Sequence, residues 1–150
     1  MIDLEDDELK FRFLEHMADV YIAAYGRSLN EAFENAALAM FETMTNTVDV
    51  KCKFEEEIEV WGEDEESLLY NWLEELLVRF ELKNMLYSKF KVLSIEKKED
   101  GQLKLKAKIC GEQFDPEKHK QKVGIKAVTY HRMEIVKKPE RTTVKFILDI

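Results

Sequence analysis

A chain of 150 residues, 45% hydrophobic and 36% charged, has the size and composition of one domain with a shared core, which excludes a disordered polypeptide. Its net charge of -8 excludes a free-standing nucleic-acid binder of the usual kind, because such proteins displace counterions from phosphates with a basic footprint. No stretch is apolar for long enough to span a bilayer as a helix, and the acidic start Met1-Ile2-Asp3-Leu4-Glu5-Asp6-Asp7 is the opposite of a signal peptide's basic one, so the expected location is cytoplasmic.

The expected domain is the whole chain, 1–150, with residues 1–9 as a flexible acidic N-terminus. Phe11 to Glu15 and Asp19 to Tyr25 read as two strands joined around His16-Met17-Ala18. A helix opens at Ser28, where Glu31 three residues on forms the pattern of a capping box. Leu29, Phe33, Ala36, Ala37, Met40, Phe41 and Met44 then recur with helical spacing. Val50 to Trp61 alternates, with Cys52, Phe54, Ile58 and Val60 on one face and charges between. A second helix opens near Asp64. Acids crowd its first turn, where the helix dipole favours them, and Leu68, Leu69, Trp72, Leu73, Leu76, Leu77 and Phe80 form its stripe. Lys83 and Asn84 suit its end.

Phe90 to Lys97 and Gln102 to Gly111 read as a hairpin about Glu99-Asp100-Gly101, since Asp-Gly favours a tight turn. Val123 to Val136 and Thr143 to Leu148 complete the strands, with Lys137-Lys138-Pro139-Glu140 as their turn. Few helices and many hairpins predict an α+β fold, with two helices packed on a mostly antiparallel sheet.

Cys52 and Cys110 belong to no Cys-x-x-Cys motif, so a zinc knuckle and a dithiol redox motif are excluded. They are expected as buried free thiols, with a disulfide as the alternative in a protein from a hot environment. No glycine-rich phosphate loop, His-Glu-x-x-His or Gly-x-Ser-x-Gly occurs. The histidines, His16, His119 and His131, are scattered. His119 lies in a charged loop with Lys118, Lys120 and Lys122 and receives no role. His131 is expected to be half-buried.

The strongest local feature is His16-Met17-Ala18-Asp19. An imidazole and a carboxylate at the bend between two strands can converge on a hard cation, and Asp19 can equally cap a turn. Asp149 sits at the end of a strand on the parity of Ile147, opposite Val144, Phe146 and Leu148, with the Ile150 carboxylate beside it. If Asp19 and Asp149 meet, the pair repels itself unless a cation neutralises it. Asp149 can also be simply solvated. Lys126 is expected mid-strand, either as an edge charge that deters strand pairing or as the cation that balances carboxylates or grips a phosphate.

Together these segments resemble the archease family. The resemblance rests on His16-Met17-Ala18-Asp19-Val20 running to Ala24-Tyr25-Gly26, on Ser28 through Phe41, on Val123 through His131, and on the final Ile147-Leu148-Asp149-Ile150. Leu68 through Leu77 fits the family's second helix. Met17 stands where the family usually has Thr, and Asn46 follows Thr45 where it often has Asp.

The resemblance implies a protein cofactor of an RtcB-type RNA ligase, not an enzyme. That ligase joins RNA ends in tRNA splicing and repair, using GTP and a divalent metal. The cofactor promotes guanylylation of the ligase and its multiple turnover. The family's acidic positions fall on Asp19 and Asp149. With Ile150 they are the expected ligands of a divalent ion, calcium, magnesium or manganese, supported by His16 and Lys126. The second expectation is a chaperone-like modulator of a tRNA-modifying enzyme such as a methyltransferase. A stand-alone metal-dependent hydrolase is the third, disfavoured because no nucleophile or general-base pair is evident.

Overall fold

The computed structural model describes residues 9–14 and 19–150. Their elements are β1 (Phe11–Leu14), β2 (Val20–Gly26), α1 (Leu29–Met44), a 3-10 turn (Thr47–Asp49), β3 (Phe54–Gly62), α2 (Glu65–Lys83), β4 (Met85–Lys97), β5 (Leu103–Gln113), β6 (Ala127–Lys137) and β7 (Thr142–Asp149). The strands form two antiparallel sheets, one ordered β1-β2-β7-β6 and one ordered β3-β5-β4. The α+β class therefore holds, and the strands are divided between two sheets. The bend at His16-Met17-Ala18 lies outside the described residues.

Both helices form for the reasons their sequences carry. Ser28 Oγ accepts from the Glu31 N–H at 3.1 Å. The Glu31 carboxylate accepts from Arg27 N–H at 3.0 Å, one residue before the donor a strict capping box requires. At α2 the box is complete: Asp64 Oδ1 accepts from Ser67 N–H at 2.7 Å, and Ser67 Oγ from Asp64 N–H at 3.1 Å. Asn84 ends α2 in the left-handed conformation at φ 60°. The apolar stripes of both helices join residues from both sheets, including Ile22, Phe146, Leu105 and Ile109, in one buried cluster. Trp72 Nε1 ties the helices by donating to the Phe33 carbonyl at 2.9 Å.

Three strand starts differ from expectation by more than one residue. β4 starts at Met85 rather than Phe90, because Met85, Leu86 and Tyr87 are all buried and so show no alternation. A register shift between Tyr87 and Lys89 then resets the parity. Gly111 of β5 packs against this irregularity, where an added Cβ would run into the Leu86 carbonyl. β3 starts at Phe54, after the 3-10 turn, and Phe54 itself is exposed while Ile58 and Val60 are buried. β6 starts at Ala127, and its pairing with β7 jumps from Thr129–Ile147 to Glu134–Lys145. The intervening residues bulge outward, with Arg132 at φ 57° and its guanidinium 5.1 Å from the Tyr21 ring centre. His131, on this bulge, is exposed rather than half-buried.

The free-thiol expectation for the cysteines is overturned. Cys52 and Cys110 form a disulfide across 58 residues, with Cα atoms 5.0 Å apart. It joins the segment before β3 to β5. Cys110 is buried, but Cys52 is exposed.

Candidate functional site

One of the two inner strands of the first sheet, β7, brings the chain's distant acidic positions to the same end of the sheet. Val20 of β2 lies opposite Leu148 of β7. On the other side Val128 lies opposite Leu148, and Ala127 opposite Asp149. The start of β2, the end of β7 and the start of β6 therefore share one end of the sheet. Asp19 precedes Val20 and Asp149 follows Leu148, so the antiparallel register brings the two carboxylate-bearing residues to the same end of the sheet, each one position beyond the last β2–β7 pair. Val20 and Leu148 turn inward to the core, so Asp149, the next residue of β7, turns to the opposite face. Both Asp19 and Asp149 are partly exposed.

Lys126 lies just outside β6, not mid-strand. Its N–H donates to the Asp149 carbonyl at 2.7 Å, which fixes the end of β7 against the start of β6. Its side chain is exposed, and its ammonium makes no ion pair among the described residues. β6 is an edge strand, so the placement agrees with an edge charge. Ile150 packs its side chain against the core cluster. His16 lies outside the described residues.

The loop from Phe114 to Lys126 delivers Lys126 to this place and is pinned along its length. Lys122 and Val123 donate backbone N–H groups to Met44 and Thr43 of α1 at 3.0 and 3.3 Å. The Lys122 ammonium lies 2.7 Å from the Glu42 carboxylate. Nearer its start, the loop is held by a buried group that sequence reasoning missed. Glu112, 3% exposed, accepts from the Lys51 N–H at 2.8 Å, the Lys118 ammonium at 2.6 Å and His119 Nε2 at 2.9 Å. Lys53 adds an ion pair at 3.4 Å. Burial opposes ionisation of Glu112, but these donors outweigh it and hold the carboxyl well below its usual range.

His119, 1% exposed, accepts from the Asp115 N–H through Nδ1 at 2.9 Å, so its proton resides on Nε2, facing Glu112. A histidine among lysines carries no local sign of burial. Only the contact with a carboxylate seven residues away identifies it.

The chemistry of the main site follows from its donors. Two carboxylates at one end of the sheet supply hard oxygen ligands, which suit calcium, magnesium or manganese rather than a softer metal. Among the described residues, no three His, Cys, Asp or Glu side chains gather into a metal-holding group. The pair thus fits a hard cation as a partial ligand set. Among the described residues no helix is long and apolar enough to cross a membrane.

Residues 11–150 match the archease protein family (MTH1598/TM1083). A protein archease of Sulfurisphaera tokodaii is 50% identical over 141 residues, covering 94% of this chain and 99% of the relative. One of Pyrococcus abyssi is 49% identical over 142 residues, with the same coverage. The solution structure of Methanobacterium thermoautotrophicum protein 1598 superposes with a TM-score of 0.82 at 44% identity, over 94% of this chain and 99% of that one. A Thermotoga maritima crystal structure, described as an archease and possible chaperone, shares the fold at a TM-score of 0.58 and 20% identity, over 93% of this chain and 96% of that one.

Proposed function

This chain belongs to the archease family, and we propose that it serves as a protein cofactor of an RtcB-type GTP-dependent RNA ligase in the cytoplasm, in tRNA splicing and RNA repair. It promotes guanylylation of the ligase and multiple turnover, and performs no complete reaction itself. The observation that supports this is the register that brings Asp19 and Asp149 to one end of the first sheet, with the Lys126 N–H holding the Asp149 carbonyl. Asp19, Asp149 and a backbone oxygen of Ile150 would hold a divalent ion, calcium, magnesium or manganese, with His16 beside them. When bound, that ion supplies positive charge where a nucleotide phosphate develops negative charge.

The chain's own contribution is placement. The sheet presents both carboxylates at a strand end, where a partner's active site can receive them, and rigid elements hold such groups more exactly than loops do. The Lys126 ammonium is available to meet a phosphate. The net charge of -8 favours approach to a basic partner and disfavours direct RNA binding.

The test is ligase turnover on a cyclic-phosphate RNA with GTP and manganese, at substoichiometric ligase. Wild-type protein is expected to convert single to multiple turnover. Asp19→Ala and Asp149→Ala are expected to lose the effect while keeping the wild-type circular dichroism spectrum. No stimulation by the wild-type protein would remove this reading.

A chaperone-like modulator of a tRNA-modifying enzyme such as a methyltransferase is the alternative. The exposed Phe54 and Leu82, which line one shallow groove, are the observation in its favour. It predicts that Phe54→Ser and Leu82→Ser lose activity while the Asp variants keep it.

A further inference from the structure

The loop that carries Lys126 also roofs a cavity of about 210 Å³, at the C-terminal ends of α1 and α2. Met44 and Leu86 belong to its buried lining, and Phe80 and Phe114 also line it. A cavity of about 150 Å³ is already enough to hold benzene. An apolar cavity alone would specify nothing beyond size, but two polar features add chemistry.

The first is Thr45, the residue that caps α1 at its C-terminal end and lines the cavity. Its hydroxyl is buried and has no hydrogen-bond partner among the described residues. Buried hydroxyls are nearly always paired, so this group stands out. Thr45 has extended backbone, at φ -157° and ψ 176°, outside the helix. A staggered rotation about χ1 carries the hydroxyl to the position the methyl or the hydrogen holds, and so can turn the oxygen toward an occupant.

The second is Lys120, at the cavity's exposed rim. Eight lysines, Lys122 among them, meet a carboxylate, and the other described lysines, Lys120 and Lys126 included, meet none among the described residues. Its neighbour Lys122 is committed to Glu42. An unmatched cation beside an apolar cavity is the complement of a small molecule with an apolar body and an anionic head.

We propose that this cavity binds a small apolar carboxylate, with its body between Phe80 and Phe114, its carboxylate on Lys120 and an oxygen within reach of the Thr45 hydroxyl. The site is separate from the Asp19–Asp149 end of the sheet and does not depend on the ligase reading. The loop joins the two, since Val123 and Gly124 line the cavity and Lys126 lies just beyond.

The experiment is an amide-resolved NMR titration of the full chain with benzoate, and with benzamide as a neutral probe of the same shape. Benzoate is expected to shift the amides of Thr45, Lys122 and Val123 saturably, and to bind at least about tenfold more tightly than benzamide, as expected of a charge-assisted contact. Lys120→Gln is expected to erase the difference between the probes. Thr45→Val, which keeps the shape and the fold, is expected to weaken benzoate severalfold. No saturable shift at these amides up to the probe's solubility overturns the site. Equal binding of the two probes by the wild-type protein overturns the assignment to an acid.

Discussion

His119 Nε2 meets Glu112 Oε2 at 2.9 Å inside the protein, and both side chains are almost wholly buried. The pair is stable there because every polar atom facing inward is answered. Glu112 has its lysine and backbone donors, and His119 receives the Asp115 N–H on its other nitrogen. This clamp joins the segment before β3, the end of β5 and the loop that leads to Lys126.

Removing the Glu112 charge should therefore be costly. Glu112→Gln is expected to lower stability at neutral pH by about 3 kcal/mol, because it leaves buried donors poorly matched. For a chain of this length that is on the order of 10 °C in melting temperature. The folded-state pKa of Glu112 is depressed, so its contribution is fully present above the unfolded value of about 4.3 and is lost as pH falls through the lower folded value. Melting curves from pH 7 down to strongly acidic pH should show the gap between wild type and variant narrowing only below the ordinary glutamate range. A gap that closes between pH 7 and pH 5 would mean that another group controls it.

The disulfide offers a second test. Closing a loop between residues 58 apart in sequence removes unfolded-state entropy worth about 4 kcal/mol in the chain-entropy picture. The Cys52→Ala, Cys110→Ala double variant is expected to fold, because the core lies elsewhere, and to melt well below the oxidised protein. Reductant should lower the wild-type melting temperature towards the variant's, since Cys52 is exposed. Reductant that changes the double variant equally would show an effect unrelated to the bond.

At the strand ends, Asp19 and Asp149 each lie one residue beyond the Val20–Leu148 pair, at the same end of the sheet. Like charges on neighbouring strands of a sheet destabilise it by up to about 1 kcal/mol. Asp149→Asn is therefore expected to raise the melting temperature slightly in the presence of a chelator. Manganese or calcium at about 100 times its dissociation constant should stabilise the wild type by about 2.7 kcal/mol and the variant far less. Calorimetry across a metal titration reads both arms. Equal metal stabilisation of the two proteins would place the ion elsewhere.

Packing at Gly111 gives a fourth. A methyl group there meets the Leu86 carbonyl, which is backbone and cannot swing aside. Gly111→Ala is expected to cost about 2 kcal/mol or more, comparable to overpacking a well-filled core. Gly101→Ala makes the contrast. Its added methyl meets nothing, and its cost comes only from φ +88°, about 1 kcal/mol. Denaturant titration of both variants separates steric from conformational cost.

Local patterns sufficed for much of this protein. The stripes of α1 and α2, the acids at Glu65 and Glu66, and the hairpin at Asp100-Gly101 are properties of short windows, because helix and strand periods act on neighbours in sequence. Likewise the quoted segments around Asp19, Lys126 and Asp149 were enough to recognise the family. The tertiary structure decided what depends on distant partners. The strands were sorted into two sheets, Cys52 was joined to Cys110, and His119 was buried against Glu112. Asp19 and Asp149 are the clearest case. Each is a lone acid at a strand end in the sequence, and only the pairing of Val20 with Leu148 brings them to one end of the sheet. Register between strands more than a hundred residues apart is set by which faces the core buries, and no short window of sequence carries that choice.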